Sequence, residues 1–184
     1  MPTYDDLVSW AGVENVARGE LAAVARWQVP DRQSLLLAEV GVPTAPQLVE
    51  YAAIQPEEAP QLATNDGRLF YQMTGNHHGN LVPGLLWAFG VEPNTGTVYY
   101  VLPSGEPWYA NADIDLWLEC LHHYGRSVHE SDIFERGDEM EEQEEGPALA
   151  YYRRLAAEVK QIDPSAFARN SSHLIWPETL ELWY

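Results

Sequence analysis

The chain has 184 residues, and its 28 Asp and Glu against 10 Lys and Arg leave a formal net charge of -18 at pH 7. So few cations cannot make the basic stripe that displaces counterions from nucleic-acid phosphates, and the same shortage disfavours an anionic membrane surface. The length suits one domain spanning 1–184, and a 46% apolar fraction that includes 7 Trp, 10 Tyr and 4 Phe argues against wholesale disorder.

No apolar run approaches the roughly 20 residues that a membrane-spanning helix needs. The opening Met1-Pro-Thr-Tyr-Asp-Asp6 lacks the basic-then-apolar layout of a secretory signal, so a cytoplasmic location is expected. The single Cys120 excludes an internal disulfide and a cysteine-rich zinc site, which fits a reducing compartment.

In chain order, Thr3 with Asp6 three residues on forms a capping-box pattern. Leu7, Val8, Trp10 and Ala11 supply an apolar side, and Gly12 ends this short helix. Pro30 and Asp31 introduce a second helix over Arg32–Val40, with Gly41 as left-handed cap and Pro43 as breaker. Residues 44–66, with Pro46, Pro56, Pro60 and Asp66-Gly67, read as irregular and surface-running.

Short apolar runs bounded by Gly and Pro then predict strands at Leu69–Met73, Leu85–Phe89, Val98–Leu102 and Pro107–Ala110. The turn cluster Pro93-Asn-Thr-Gly96 makes the middle pair an antiparallel hairpin. Asn111 is placed as an N-cap, with Asp113 in the first turn of a helix over about 112–124. Ile114, Trp117, Leu118, Leu121 and Tyr124 form the buried stripe of that helix. Asp115, Glu119, His122 and His123 occupy its opposite, solvent-facing side, and Gly125 caps it.

Residues 130–146 hold nine acids and one Arg, so this stretch carries -8 of the total charge in 17 positions. Such a block repels itself and is expected to be a mobile loop. Beyond it the chain is nearly neutral. Pro147 opens an amphipathic helix whose buried side is Leu149, Tyr152, Leu155, Ala156, Val159 and Ile162, and Asp163-Pro164 stops it. The terminal segment 174–184 is too apolar to dangle and is expected to dock on the body.

Catalytic patterns are not found: no Gly-x-Ser-x-Gly elbow, no phosphate loop, no dinucleotide fingerprint. Cys120 falls near an apolar stripe and reads as core filler. His77-His78 is the one pair of metal-ligand type, but adjacent imidazoles rarely chelate one ion together and no matching ligand spacing accompanies them, so no metal and no cofactor is expected. The acidic run lacks the alternating ligands and central Gly of a calcium-binding EF-hand loop.

Two readings of that run remain. It is a solvated stretch that keeps the protein soluble, or it faces a cationic partner, with Glu135, Asp138, Glu139, Glu141, Glu142, Glu144 and Glu145 as the contacting side chains.

The order of these features is more specific than any one of them: a Leu-rich helix ending in Gly41-Val-Pro43, then Phe89-Gly90 and Thr95-Gly-Thr-Val-Tyr99, then a strand feeding Asn111 and the Trp117-Leu118 helix, then Ile162-Asp-Pro-Ser-Ala-Phe167 and Trp176. This order resembles the fourth subgroup of the SUKH superfamily of immunity proteins, over most of the chain. The resemblance implies an α+β fold, with a mainly antiparallel central sheet flanked by helices. It implies a protein that is not an enzyme and that binds and neutralises a cognate bacterial toxin by stoichiometric occlusion.

Many toxins linked to the superfamily are nucleases or deaminases, and a basic toxin is the partner expected of an acidic inhibitor. No catalytic residue is transferred by the likeness. Neither the acidic insertion nor His77-His78 belongs to the shared pattern. Two other readings stand beside it: a SUKH-like adaptor or regulatory module with a non-toxin partner, and an enzyme using His77, His78 and nearby carboxylates on a metal.

Overall fold

The computed structural model describes residues 1–54, 59–76, 87–131, 145–168 and 173–181. Helix α1 (Tyr4–Ala11) opens with the expected capping box: Asp6 N donates to Thr3 Oγ1 at 3.2 Å, and Thr3 N donates to Asp6 Oδ2 at 2.8 Å. Gly12, at φ 89°, ends it by donating to Val8 O at 3.0 Å. Strand β1 (Val16–Ala17) and the short helix α2 (Leu21–Val24) follow, then α3 (Asp31–Glu39) and β2 (Val42–Pro43), which pairs antiparallel with β1. Gly41 is required between α3 and β2. Its φ is 84°, and a Cβ there would stand 2.7 Å from Ala17 O.

The stretch 44–66, expected to be irregular, contributes two short strands, β3 (Tyr51–Ala52) and β4 (Leu62–Ala63). Next come β5 (Leu69–Gln72), β6 (Thr74–Gly75), β7 (Ala88–Val91), β8 (Val98–Val101) and β9 (Pro107–Asn111). β3 pairs with β6, and the central sheet has the order β4-β5-β7-β8-β9, every pair antiparallel.

Of the expected strand at Leu85–Phe89, 85 and 86 lie outside the described residues, and Trp87 pairs with Asn76 in an isolated antiparallel bridge. β7 runs on through Gly90, which permits close packing: a Cβ there would meet Phe70 Cβ at 2.8 Å and Leu62 Cδ2 at 3.0 Å. The β7–β8 connection is the turn read from sequence, with Asn94 at φ 68° and Gly96 at φ 75°.

Helix α4 (Ile114–His129) is longer than expected at its C-terminal end. Its N-cap is Asp113, whose Oδ1 accepts from Leu116 N at 2.8 Å, whereas Asn111 ends β9 fully buried. Gly125 does not cap α4. It sits inside the helix, where an added Cβ would overlap the indole of Trp10, so it lets α1 approach α4 closely. α5 (Glu145–Ile162) and α6 (Ile175–Glu181) complete the order, with a 3-10 turn at Pro164–Phe167 between them. The docking expected of the terminal segment holds for its described part: Trp176 and Leu180 are buried, and Leu174 bridges Tyr109 in parallel.

The architecture is α+β. Side-chain alternation gives the sheet two distinct faces. On the inner face Tyr71, Phe89, Val91, Val98, Tyr100 and Ala110 join the hydrophobic core with Trp117, Leu118 and Leu121 of α4 and with Leu155 and Val159 of α5. Phe89 lies 5.2 Å from Trp117 and 4.7 Å from Tyr100, and Trp27 stacks on Tyr71 at 4.7 Å. The other face carries Phe70, Tyr99 and Tyr109.

Candidate functional site

Of the residues singled out by sequence, Glu135, Asp138, Glu139, Glu141, Glu142 and Glu144 lie outside the described residues, as do His77 and His78. Glu145 is described as the first residue of α5. Among the described residues, no group of three or more His, Cys, Asp or Glu side chains is placed to hold a metal ion.

Cys120 is wholly buried, and burial pushes its thiol pKa well up, so it behaves as the core residue that its position suggested. His122 and His123 are not the free solvent-facing pair expected of them. Trp10 Nε1 donates to His122 Nδ1 at 3.0 Å, and His123 Nε2 stands 2.7 Å from Glu158 Oε2. These pairs tie α4 to α1 and to α5.

Two polar constellations stand out. The first is buried. Asp163 is 2% exposed, and its Oδ2 accepts from Asn111 Nδ2 at 3.0 Å and from Ala112 N at 3.1 Å. Its Oδ1 accepts from Ser165 N at 3.0 Å and from Ser165 Oγ. Asn111 Oδ1 in turn accepts from Trp176 Nε1 at 2.9 Å, and Asn111 Nδ2 lies 3.4 Å from Cys120 Sγ. One carboxylate and one amide thus hold together the end of β9, the start of the α4 connection, the 3-10 turn and α6.

A buried carboxylate is stable only when its lone pairs are filled, and this one accepts four hydrogen bonds. Asp163 itself is closed to solvent and the node joins separate segments of the chain as a staple, with the exposed Ser165 hydroxyl at its edge.

The second constellation is open to solvent. On the outer face of the sheet a cleft of about 400 Å³ is lined by Arg68, Tyr99, Pro107, Tyr109, His173 and Leu174 among others. The strand period sets its floor: Tyr99 of β8 and Tyr109 of β9 are cross-strand partners, with ring centroids 5.7 Å apart and edge to face. Phe70 of β5 lies 5.2 Å from Tyr99 on its other side.

Arg68 lays its guanidinium 4.6 Å above the Tyr99 ring and 5.5 Å from Phe70. Asp66 Oδ2 meets Arg68 Nε at 2.9 Å, and Glu92 Oε1 lies 3.7 Å from Nη1. At the opposite rim His173 Nε2 sits 3.2 Å from Glu106 Oε1, and its ring stacks on Trp108 at 5.7 Å. Tyr109 Oη contacts Ser165 Oγ at 2.6 Å, so the cleft floor is fastened to the buried node through Ser165. Burial raises the Tyr109 pKa, and the phenol stays neutral at physiological pH.

A guanidinium and tyrosines over an apolar floor are residue types enriched at protein contact surfaces. The sequence reading missed this cleft because its members lie far apart in the chain. The alternation of Val98-Tyr-Tyr-Val101, which turns Tyr99 away from the core, is the one local signal that pointed toward it.

Compared with protein-family models, the chain matches the model described as SUKH-4 immunity protein over residues 2–182. The staple residues Asn111, Asp163, Ser165 and Trp176 all lie within that span. No match is found among curated proteins or among solved structures.

Proposed function

Because the chain belongs to the SUKH-4 immunity protein family, we propose that it is an immunity protein that binds a cognate bacterial toxin and neutralises it by stoichiometric occlusion. The observation that carries this reading is the family match from residue 2 to residue 182, which takes in every described helix and strand. The charge of -18 supports a basic partner, and a nuclease or deaminase whose phosphate-binding surface is cationic fits that requirement. The protein acts in the cytoplasm of the cell that makes the toxin, by fitting against another macromolecule and without turning over a substrate.

Glu135, Asp138, Glu139, Glu141, Glu142, Glu144 and Glu145 contribute to the encounter. Concentrated negative charge steers a basic partner inward and accelerates association toward about 10⁸ M⁻¹s⁻¹ at low salt. Co-expression with the toxin encoded beside its gene tests the reading: cells making both proteins should survive and cells making the toxin alone should not. Continued killing at full expression of the intact chain would overturn it. Replacing those seven acids by Gln and Asn should slow association and flatten its salt dependence, and an unchanged rate would remove the acidic stretch from the interface.

A further inference from the structure

We propose that the cleft on the outer face of the sheet is a docking pocket for one basic side chain, an arginine or lysine carried on a loop of the partner protein. This rests on the immunity reading for the identity of the partner, and on the cleft itself for the chemistry.

The floor is aromatic and rigid. Tyr99 and Tyr109 are fixed by cross-strand pairing, Phe70 is fully buried beside Tyr99, and Tyr109 is fastened from behind by Ser165. Arg68 covers one side of the Tyr99 ring at 4.6 Å, so the guest's head group meets the rest of the tyrosine floor and the rim. Electrostatics then select the sign of the guest. Asp66 and Glu92 both face Arg68 and outweigh its single charge, and Glu106 adds a third carboxylate at the far rim, paired with the His173 imidazole. Among the described residues, three carboxylates stand beside the lining against the one guanidinium of Arg68, so an entering cation is attracted and an entering anion is repelled.

A flexible basic side chain also matches the shape. Its apolar stem would lie against Pro107 and Leu174 while its charged head reaches the tyrosines and the rim. The cleft differs from the acidic stretch in kind: diffuse charge accelerates encounter, whereas a preformed aromatic pocket holds one side chain and slows dissociation.

The test uses the full-length, isotope-labelled chain and three blocked pentapeptides, Gly-Gly-X-Gly-Gly amide with X as Arg, Lys or Gln, followed by nuclear magnetic resonance. The Arg and Lys peptides should shift the resonances of Tyr99, Tyr109 and His173 saturably, and the neutral Gln peptide should bind about five times more weakly or worse, as expected of a cation–π contact near carboxylates. In Glu106→Gln and in Tyr99→Leu, each checked for a single cooperative thermal unfolding, the Arg peptide should lose most of its affinity. Equal shifts with Arg and Gln, or shifts confined to other regions, would overturn the proposal.

The toxin assay separates the two readings. Full protection with an unchanged toxin dissociation rate in both variants would remove the cleft and leave the immunity reading intact. Arg-specific binding at the cleft by a chain that protects no cell would remove the immunity reading and leave the pocket.

Discussion

The two polar constellations of this protein share a residue and do opposite things. Asp163, Asn111 and Trp176 face inward, fill one another's hydrogen bonds and join four elements of the chain. Arg68, Tyr99 and Tyr109 face outward, and Ser165 ties the first group to the second. The residues that carry the family likeness, Ile162 to Phe167 and Trp176, therefore build the frame. The proposed docking cleft draws on the segments of that likeness too, at Tyr99, Tyr109 and Ser165, and adds Arg68 and His173 from outside them.

This comparison breaks first at the staple. Trp176→Ala should cost about 3–5 kcal/mol through the cavity it leaves, and it should abolish protection only because the chain unfolds. Asp163→Ala removes the acceptor of the Asn111 amide and of the Ala112 and Ser165 amides, and should cost about 3 kcal/mol. Chemical denaturation measures both. A loss under about 1 kcal/mol for Asp163→Ala would mean that the node does not bear on stability.

Gly125→Ala forces a methyl group against Trp10 and should cost about 1–3 kcal/mol, most of it recovered when Trp10 is shortened to Leu in the same chain. A simple sum of the two single effects would show that α1 and α4 do not meet there.

A smaller effect is pH-dependent. Trp10 Nε1 donates to His122 Nδ1, so the folded state needs the neutral imidazole. Burial, with the nearby Arg126, lowers the His122 pKa, against the pull of Asp6 and Glu119, while His123 lowers it further. A pKa lowered by folding means that this contribution is complete above the ordinary histidine value of about 6.5 and is lost as pH falls through the lower folded value. The urea midpoint should drop between pH 7 and pH 5 by more in the native chain than in His122→Asn. Equal drops would remove His122 from the account.

The smallest expected effects on stability are at the cleft. Glu106→Gln and Tyr99→Leu should stay within about 0.5 kcal/mol for the exposed acid and about 1.5 kcal/mol for the tyrosine, while changing partner dissociation far more.

Much of this frame was legible from local signals. The Thr3 and Asp6 capping box, Gly12 as a helix end, the left-handed Gly41, the Asn94 and Gly96 turn and the apolar stripe of α4 each depend on residues within a few positions of one another, and each is found where the pattern placed it. α5 starts at Glu145, two residues before the Pro147 expected to open it and inside the stretch expected to be a loop, and Leu149 and Ile162 of its expected buried side are half-buried.

The errors share the opposite cause. Asn111 has the composition of a cap, but its partner Asp163 is 52 positions away. Gly125 looks like a helix end, yet it is fixed by Trp10 on another helix. β4 spans two residues, too few for alternation to show, and it exists because β5 offers an edge to pair with. The cleft combines three separated segments, so only folding brings Arg68, Tyr99 and His173 to one place.

The central claim, inhibition by stoichiometric binding, is tested most directly by titrating the purified chain into the toxin encoded beside its gene while toxin activity is followed. The account predicts a linear fall that reaches zero at one chain per toxin, with association slowing as salt rises. Toxin that stays active in a large excess of the chain, or that is silenced by a small fraction of an equivalent, would contradict it.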